Sequence, residues 1–298
     1  MNSIIHYKTC PACLSADIRL VLHATDHTVS GEQFAIWECS SCSLRFTQDI
    51  PVENEIGRYY KSEQYISHSN ITKGIVNRLY HAVRQRTMQM KKNLVIRYTG
   101  KKNGSMLDVG AGTGMFCRTM IKAGWSVTAL EPDETARRLA EIAGVPIFPS
   151  PHLFELQKES LDAITLWHVL EHVHTLHEYM RQFRNISRKG GVLLIAVPNY
   201  TSIDAERYGP YWAAYDVPRH LYHFSPHSMR RLLKQHGLNL IATHPMWFDS
   251  FYVSILSEKY RTGNSNLIKG VVSGCLSNRK AMADPERCSS VIYVVQVP

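Results

Sequence analysis

Three groups of residues have the types and spacing that chemistry needs. The first is Asp108-Val109-Gly110-Ala111-Gly112-Thr113-Gly114, entered from the apolar Met106-Leu107. Glycines at alternate positions let a ligand approach the backbone. A second apolar run, Val127 to Leu130, ends in Glu131-Pro132. A strand, a glycine loop, a helical pattern and an acid at the tip of the next strand describe a nucleoside-binding half-site. The spacing is G-x-G-x-G, which favours a ligand with one nucleoside over one with a pyrophosphate bridge. The second group is Cys10-x2-Cys13 with Cys39-x2-Cys42. Two such knuckles let four thiolates close a tetrahedron around zinc and leave no open position, so the metal is expected to be structural. The third group lies between residues 199 and 225, a stretch rich in Tyr, Trp, Pro and His. His220 and His223 are candidate bases because imidazole titrates near neutral pH. Asp216 is placed to orient such a histidine, and Arg219 to take an anionic group bidentately. The plainer alternative is a folded lid in which Asp216 and Arg219 pair with each other.

His168-Val169-Leu170-Glu171-His172 has two readings. H-x-x-E-H is a zinc-peptidase signature when both histidines face one metal from a helix. Here it follows an apolar strand in a chain that already carries the glycine loop, which argues against a peptidase. His172 reads as structural, part of a polar helix start with His174 and His177.

These groups need elements to hold them. Residues 1–50 read as a small β-rich unit, with strands at 18–23 and 33–38, too small to bury a core without a staple. Residues 51–103 read as a polar, helical connector or lid, with Tyr59, Tyr60 and Tyr65 clustered and a helix from about Lys73 to Tyr98. From Ser105 strands and helices alternate. Strands are expected at 106–109, 126–130, 145–148, 161–167, 191–197, 238–245 and 290–297. Helices are expected at 114–123, 133–143, 174–188 and 226–236. Alternation of this kind implies an α/β fold with a mostly parallel sheet covered on both faces. Ser225 reads as an N-cap and Pro226 as the first helical position. Segments 199–225 and 247–289 break the rhythm, and long insertions at one end of such a sheet commonly hold substrate.

The bulk numbers fit a soluble globular chain of 298 residues, 44% hydrophobic and 20% charged. The longest apolar run, Val192 to Pro198, is too short to span a bilayer. Met1 to Cys13 lacks the apolar centre of a secretory signal, so a cytoplasmic location and reduced cysteines are expected. The formal charge of +9 admits nucleic acid, a membrane surface or an anionic small molecule. The basic residues are scattered, which fits solvated faces.

The Asp108–Gly114 loop with Glu131-Pro132-Asp133 resembles the cofactor site of class I S-adenosylmethionine-dependent methyltransferases. The resemblance extends to Asp162–His172, like that family's fourth-strand segment, and to Lys189–Asn199, like its fifth. Together these cover most of 104–240. The resemblance implies a Rossmann-like sheet of seven strands with the last one antiparallel. It implies S-adenosyl-L-methionine as methyl donor, held by Asp108, Gly110, Ala111, Gly112, Gly114, Glu131 and Pro132. Glu131 would accept from the ribose hydroxyls, and Asp108 would orient the loop or hold the ammonium. His168 would lie at the strand end beside the cofactor, and Leu170 on its adenine side. Tyr211, Trp212 and Tyr215 are candidates to wall the pocket and face the sulfonium. The N-terminal module resembles a zinc ribbon, which places a ribbon at 1–50, a connector at 51–103 and a methyltransferase domain at 104–298. The expected reaction is methylation of a small, anionic metabolite such as a phosphorylated or nucleotide-linked sugar. The rivals are an RNA methyltransferase, which would want a coherent basic face, and a non-catalytic cofactor-binding module. The acceptor atom and the oligomeric state stay open.

Overall fold

The computed structural model describes residues 4–60, 75–264 and 267–298. Tyr65 and the expected helix start at Lys73 lie outside them.

The chain begins with β1 (Ile4–Ile5), β2 (Ile18–Thr25), β3 (Gln33–Cys39), β4 (Arg45–Thr47) and β5 (Ile50–Pro51). The helix α1 (Ile75–Thr99) follows, then β6 (Ser105–Val109), α2 (Met115–Lys122), β7 (Ser126–Leu130), α3 (Glu134–Ile142), β8 (Ile147–Phe148) and β9 (Leu161–Trp167). Next come α4 (Leu176–Ile186), β10 (Ser187–Pro198), α5 (Ile203–Tyr208), β11 (Tyr222–His223), α6 (Pro226–Gln235) and β12 (Asn239–Pro245). The chain ends with α7 (Asp249–Thr262), α8 (Leu267–Ala283) and β13 (Ser290–Gln296).

The main sheet has seven strands in the order β12-β13-β10-β9-β6-β7-β8. β6, β7, β8, β9 and β10 pair in parallel, and β13 runs antiparallel between β10 and β12. This is the expected Rossmann-like sheet with its last strand reversed. Successive side chains alternate faces, and the core divides accordingly. Leu107, Leu193 and Ile195 point to the face packed by Met180 and Phe183 of α4 and Leu232 of α6. Met106, Leu194 and Ala196 point to the opposite face, under Leu94 and Val95 of α1 and Met120 of α2. Both faces being covered explains why these strands read as continuous apolar runs.

Three differences from expectation have a physical reason. β8 is two residues long because it is an edge strand paired on one side only. α4 stops at Ile186, since Ser187 already pairs with Leu161, and the Gly190 turn lies within a register shift of β10. The 247–289 segment folds as α7 and α8, packed on each other and on α5. At α6 the Ser225 side chain accepts from the Ser228 amide, the Ser228 hydroxyl accepts from the Ser225 amide, and Pro226 opens the helix.

The N-terminal unit shares its architecture with the rest. Its sheet has the order β11-β4-β3-β2, so one of four strands comes from the 199–225 insertion. Its Leu44, Phe46 and Ile50 belong to the same apolar cluster as Leu221, Phe224 and Leu233. Ala24, Phe34 and Ile36 pack with Tyr208, Trp212 and Val217. Among the described residues no helix is long and apolar enough to cross a membrane.

Candidate functional site

The glycine loop joins β6 to α2. Gly110 and Gly112 have positive φ (67° and 55°), where a side chain is strained. A Cβ on Gly110 would lie 2.5 Å from Val169 Cγ2, so this glycine brings the loop against the segment after β9. Gly112 has no atom within 4 Å of where its Cβ would sit. Its amide donates to Glu131 Oε2 at 2.8 Å, and the Asp133 amide donates to Oε1 at 3.0 Å. The Ala111 amide donates to the Leu130 carbonyl at 2.9 Å, and Gly114 caps α2 in the left-handed region. Pro132 is exposed beside Glu131. The two strand ends are thereby locked into one frame around an acid with lone pairs to offer. Burial pushes the Glu131 carboxyl up from its ordinary value, against the two amides that hold it charged.

Asp108 sits deeper than expected. It is buried, accepting from Thr165 Oγ1 at 2.6 Å and the Cys117 thiol at 3.2 Å. Burial raises it to about 6. There it braces β6 against β9 and α2, which fits the expectation that it orients the loop. Leu170 is likewise fully buried, in the core with Leu107 and Val109, so it does not line an open surface.

His168 follows β9 with a φ of 60°, unusual for a residue with a side chain. Its Nε2 lies 2.8 Å from Asp249 Oδ2 and its Nδ1 3.3 Å from Glu171 Oε1. Burial alone would lower this imidazole, but Asp249 and then Glu171 outweigh it and raise it to about 10. Asp249 belongs to α7 and was not singled out in the sequence; nothing near it in the chain signals this pairing. Lys91 of α1 was also missed. It is buried with its ammonium 4.3 Å from the Trp167 ring centre, and burial lowers it while Asp108 and Asp249 oppose.

The peptidase geometry is not built. His168 turns to Asp249, whereas His172 turns to His220, their ring centres 4.6 Å apart and nearly perpendicular. His172 Nδ1 lies 3.0 Å from the Arg219 carbonyl and from the Tyr60 hydroxyl. His220 Nδ1 lies 2.8 Å from the Ala214 carbonyl, and its Nε2 3.9 Å from Asp216 Oδ2. Burial, with His220 adding to it, lowers His172 to about 4.

Expectations for five residues of the 199–225 segment are corrected. Arg219 is 1% exposed, held by Asp26 at 2.9 Å, Asp216 at 2.7 Å and the Tyr59 carbonyl at 2.7 Å. With every group of its fork engaged, it cannot take a substrate anion, and Asp216 is its partner first. His223 is buried with Nε2 3.1 Å from Thr47 Oγ1, and burial drives its pKa well down. It faces the ribbon and not a pocket. Tyr215 is buried between Trp212 and His223, its hydroxyl accepting from Arg45 at 3.0 Å. Trp212 donates to Asp204 at 2.9 Å in the same packed layer; Tyr211 alone of the three aromatic candidates is exposed.

Cys10, Cys13, Cys39 and Cys42 bring their four sulfurs within 4.8 Å of one another. The Cys10–Cys42 and Cys13–Cys39 separations are 3.6 and 3.5 Å. A zinc tetrahedron with sulfurs at about 2.3 Å has edges of about 3.8 Å, so the four fit a structural Zn2+.

With this geometry in place the family follows. A family model described as a methyltransferase domain matches residues 80–243. The chain belongs to that family. It is similar to a ubiquinone biosynthesis O-methyltransferase of Maricaulis maris, 27% identical over 151 residues, 46% of this chain and 59% of that protein. A ubiquinone biosynthesis O-methyltransferase of Methylocella silvestris is 32% identical over 103 residues, 32% of this chain and 40% of that one. The chain spans about half the length of the curated relatives it matches. Among solved structures it is similar to geranyl diphosphate C-methyltransferase from Streptomyces coelicolor, in complex with Mg2+, geranyl diphosphate and S-adenosyl-L-homocysteine. That match has a TM-score of 0.55 at 12% identity and covers 82% of this chain and 98% of that one. At such identity the likeness is one of fold. The methyltransferase loop, with Glu131 clamped on Gly112, is the part of this fold that fits S-adenosylmethionine.

Proposed function

We propose that this protein transfers a methyl group from S-adenosylmethionine to a hydroxyl oxygen of a small molecule. The observation that carries the donor half is the Gly112–Glu131 clamp. It leaves an open glycine backbone beside a carboxylate whose oxygens retain lone pairs for a ribose diol. The donor, when bound, supplies an electrophilic methyl on a sulfonium. The chain's own residues hold the acid and the loop in register, so little ordering remains to be done on binding. Oxygen as acceptor is supported by the O-methyltransferase relatives and by an imidazole–carboxylate group in which Glu171 and His172, just after β9, meet His220.

His220 is the base candidate that keeps this place, because its Nδ1 is engaged by the Ala214 carbonyl and its Nε2 is the nitrogen left with a lone pair. A sugar phosphate as acceptor loses its supporting residue, since Arg219 is engaged elsewhere. Calorimetry with S-adenosylmethionine tests the donor half. Micromolar binding that weakens by at least about tenfold, or 1.4 kcal/mol, in Glu131→Ala is expected. Equal affinity in both proteins would remove the clamp from the donor site.

A further inference from the structure

The group formed by Glu171, His172 and His220 has the chemistry of a metal site separate from the four cysteines. One ligand atom from each lies within 4.8 Å of the others. Glu171 is fully buried, and its Oε2 has no hydrogen-bond partner. A buried carboxylate oxygen left bare costs free energy that a cation would recover. Both imidazoles are fixed from behind by backbone. The Nδ1 atoms of His172 and His220 lie 3.0 and 2.8 Å from the carbonyls of Arg219 and Ala214. A hydrogen bond from Nδ1–H to a carbonyl sets the tautomer that presents Nε2 as a ligand, the outer shell that metal-binding histidines need. The other carboxylate oxygen of Glu171 is held by His168 at 3.3 Å, which orients the bare one. Its partner elements are fixed as well, since the Leu221 amide donates to the Glu171 carbonyl at 2.8 Å.

We propose that Glu171, His172 and His220 bind a divalent transition-metal ion of the Zn2+, Fe2+ or Co2+ type. Two imidazoles and one carboxylate suit these ions and not Ca2+ or Mg2+, which prefer all-oxygen sets. Three protein ligands leave open positions, the arrangement of a reactive site and not of a staple. His220 has a small exposed edge and Asp216 beside it is 22% exposed. The existence of the site does not rest on the methyltransferase reading; its use in turnover does, and with the ion bound His220 Nε2 would be a ligand, so the ion, by making a coordinated acceptor hydroxyl more acidic, would take the place of His220 as base.

Cobalt titration of the full chain tests it. The cysteine site gives intense thiolate-to-cobalt charge-transfer absorption; the second site gives weak ligand-field bands alone. The wild type is expected to take up about two equivalents, and Glu171→Gln and His220→Asn about one, with the charge-transfer band retained as the check on folding. His177 and His236, 2.8 Å apart elsewhere in the fold, are a competing pair, and His236→Ala is expected to keep both equivalents. A wild type that stops at one equivalent, a second equivalent that survives both ligand substitutions, or one lost in His236→Ala would each overturn the site. Donor binding by calorimetry is read separately, so failure of the metal site and failure of the methyltransferase reading are distinguishable.

Discussion

Glu131 and His168 stand on opposite sides of the glycine loop and are handled in opposite ways. Glu131 is held by amides that neutralise nothing, so it stays an acceptor poised for a donor ligand. His168 is held by two carboxylates. Its raised value of about 10 has a defined sign for stability. The unfolded imidazole titrates near ~6.5, so the extra stability is whole below that value and is lost as pH climbs through about 10. Asp249→Asn removes its largest opposing charge. The His168 titration midpoint, followed by NMR, is expected to fall by at least about one unit, and the stability slope between pH 7 and 10 to flatten. A midpoint unmoved by the substitution would mean that Asp249 does not hold this ring. Arg219 illustrates the other outcome at this scale. Its charge is consumed by Asp26 and Asp216, and breaking such a buried pair costs about 3–5 kcal/mol, which is reason enough for an arginine here without a substrate.

At the scale of elements, β11 connects two units that the sequence presents as separate. Thr47 of β4 donates its amide to the Leu221 carbonyl at 3.0 Å and its hydroxyl to the His220 carbonyl at 2.7 Å, while the Leu221 amide reaches Glu171. The cysteine staple therefore supports the segment that carries His220 into β11. Cys39→Ser or chelation is expected to lower Tm by about 10 °C or more and to raise hydrogen exchange in β11 as well as in β2–β4. Exchange confined to the ribbon strands would show the staple to be local. The seven strands of the main sheet and the helices α2, α3, α4 and α6 were legible because each carries its own signal: apolar runs for strands buried on both faces, spaced apolar residues for helices, glycines and caps at the joins; α5, α7, α8 and β11, inside the two insertions, were not. The donor loop was legible for the same reason, being contiguous. The pairings that reassign Arg219, His223 and Tyr215 were not, because their partners Asp26, Thr47 and Arg45 lie 193, 176 and 170 residues away. No local pattern encodes a contact that only the closed fold creates.

For the whole molecule, the shared sheet and core lead to the expectation of one cooperative body and not a domain with a detachable module. Deleting residues 1–51 would expose Leu221, Tyr222 and Phe224 and leave β11 without a partner. The truncated protein is expected to be insoluble, or to lose cooperative thermal unfolding; a soluble fragment that melts as sharply as the full chain would contradict this. The same shared sheet sets a timetable during synthesis. Thr47 leaves the ribosome 173 residues before His220, and at about 5–20 residues per second that gap lasts roughly 9–35 s. Throughout it the four thiols can already capture zinc while an edge of their sheet waits, unpaired, for a strand not yet made. Metal capture on the nascent chain would then guard an open edge against the wrong partner until the right one arrives.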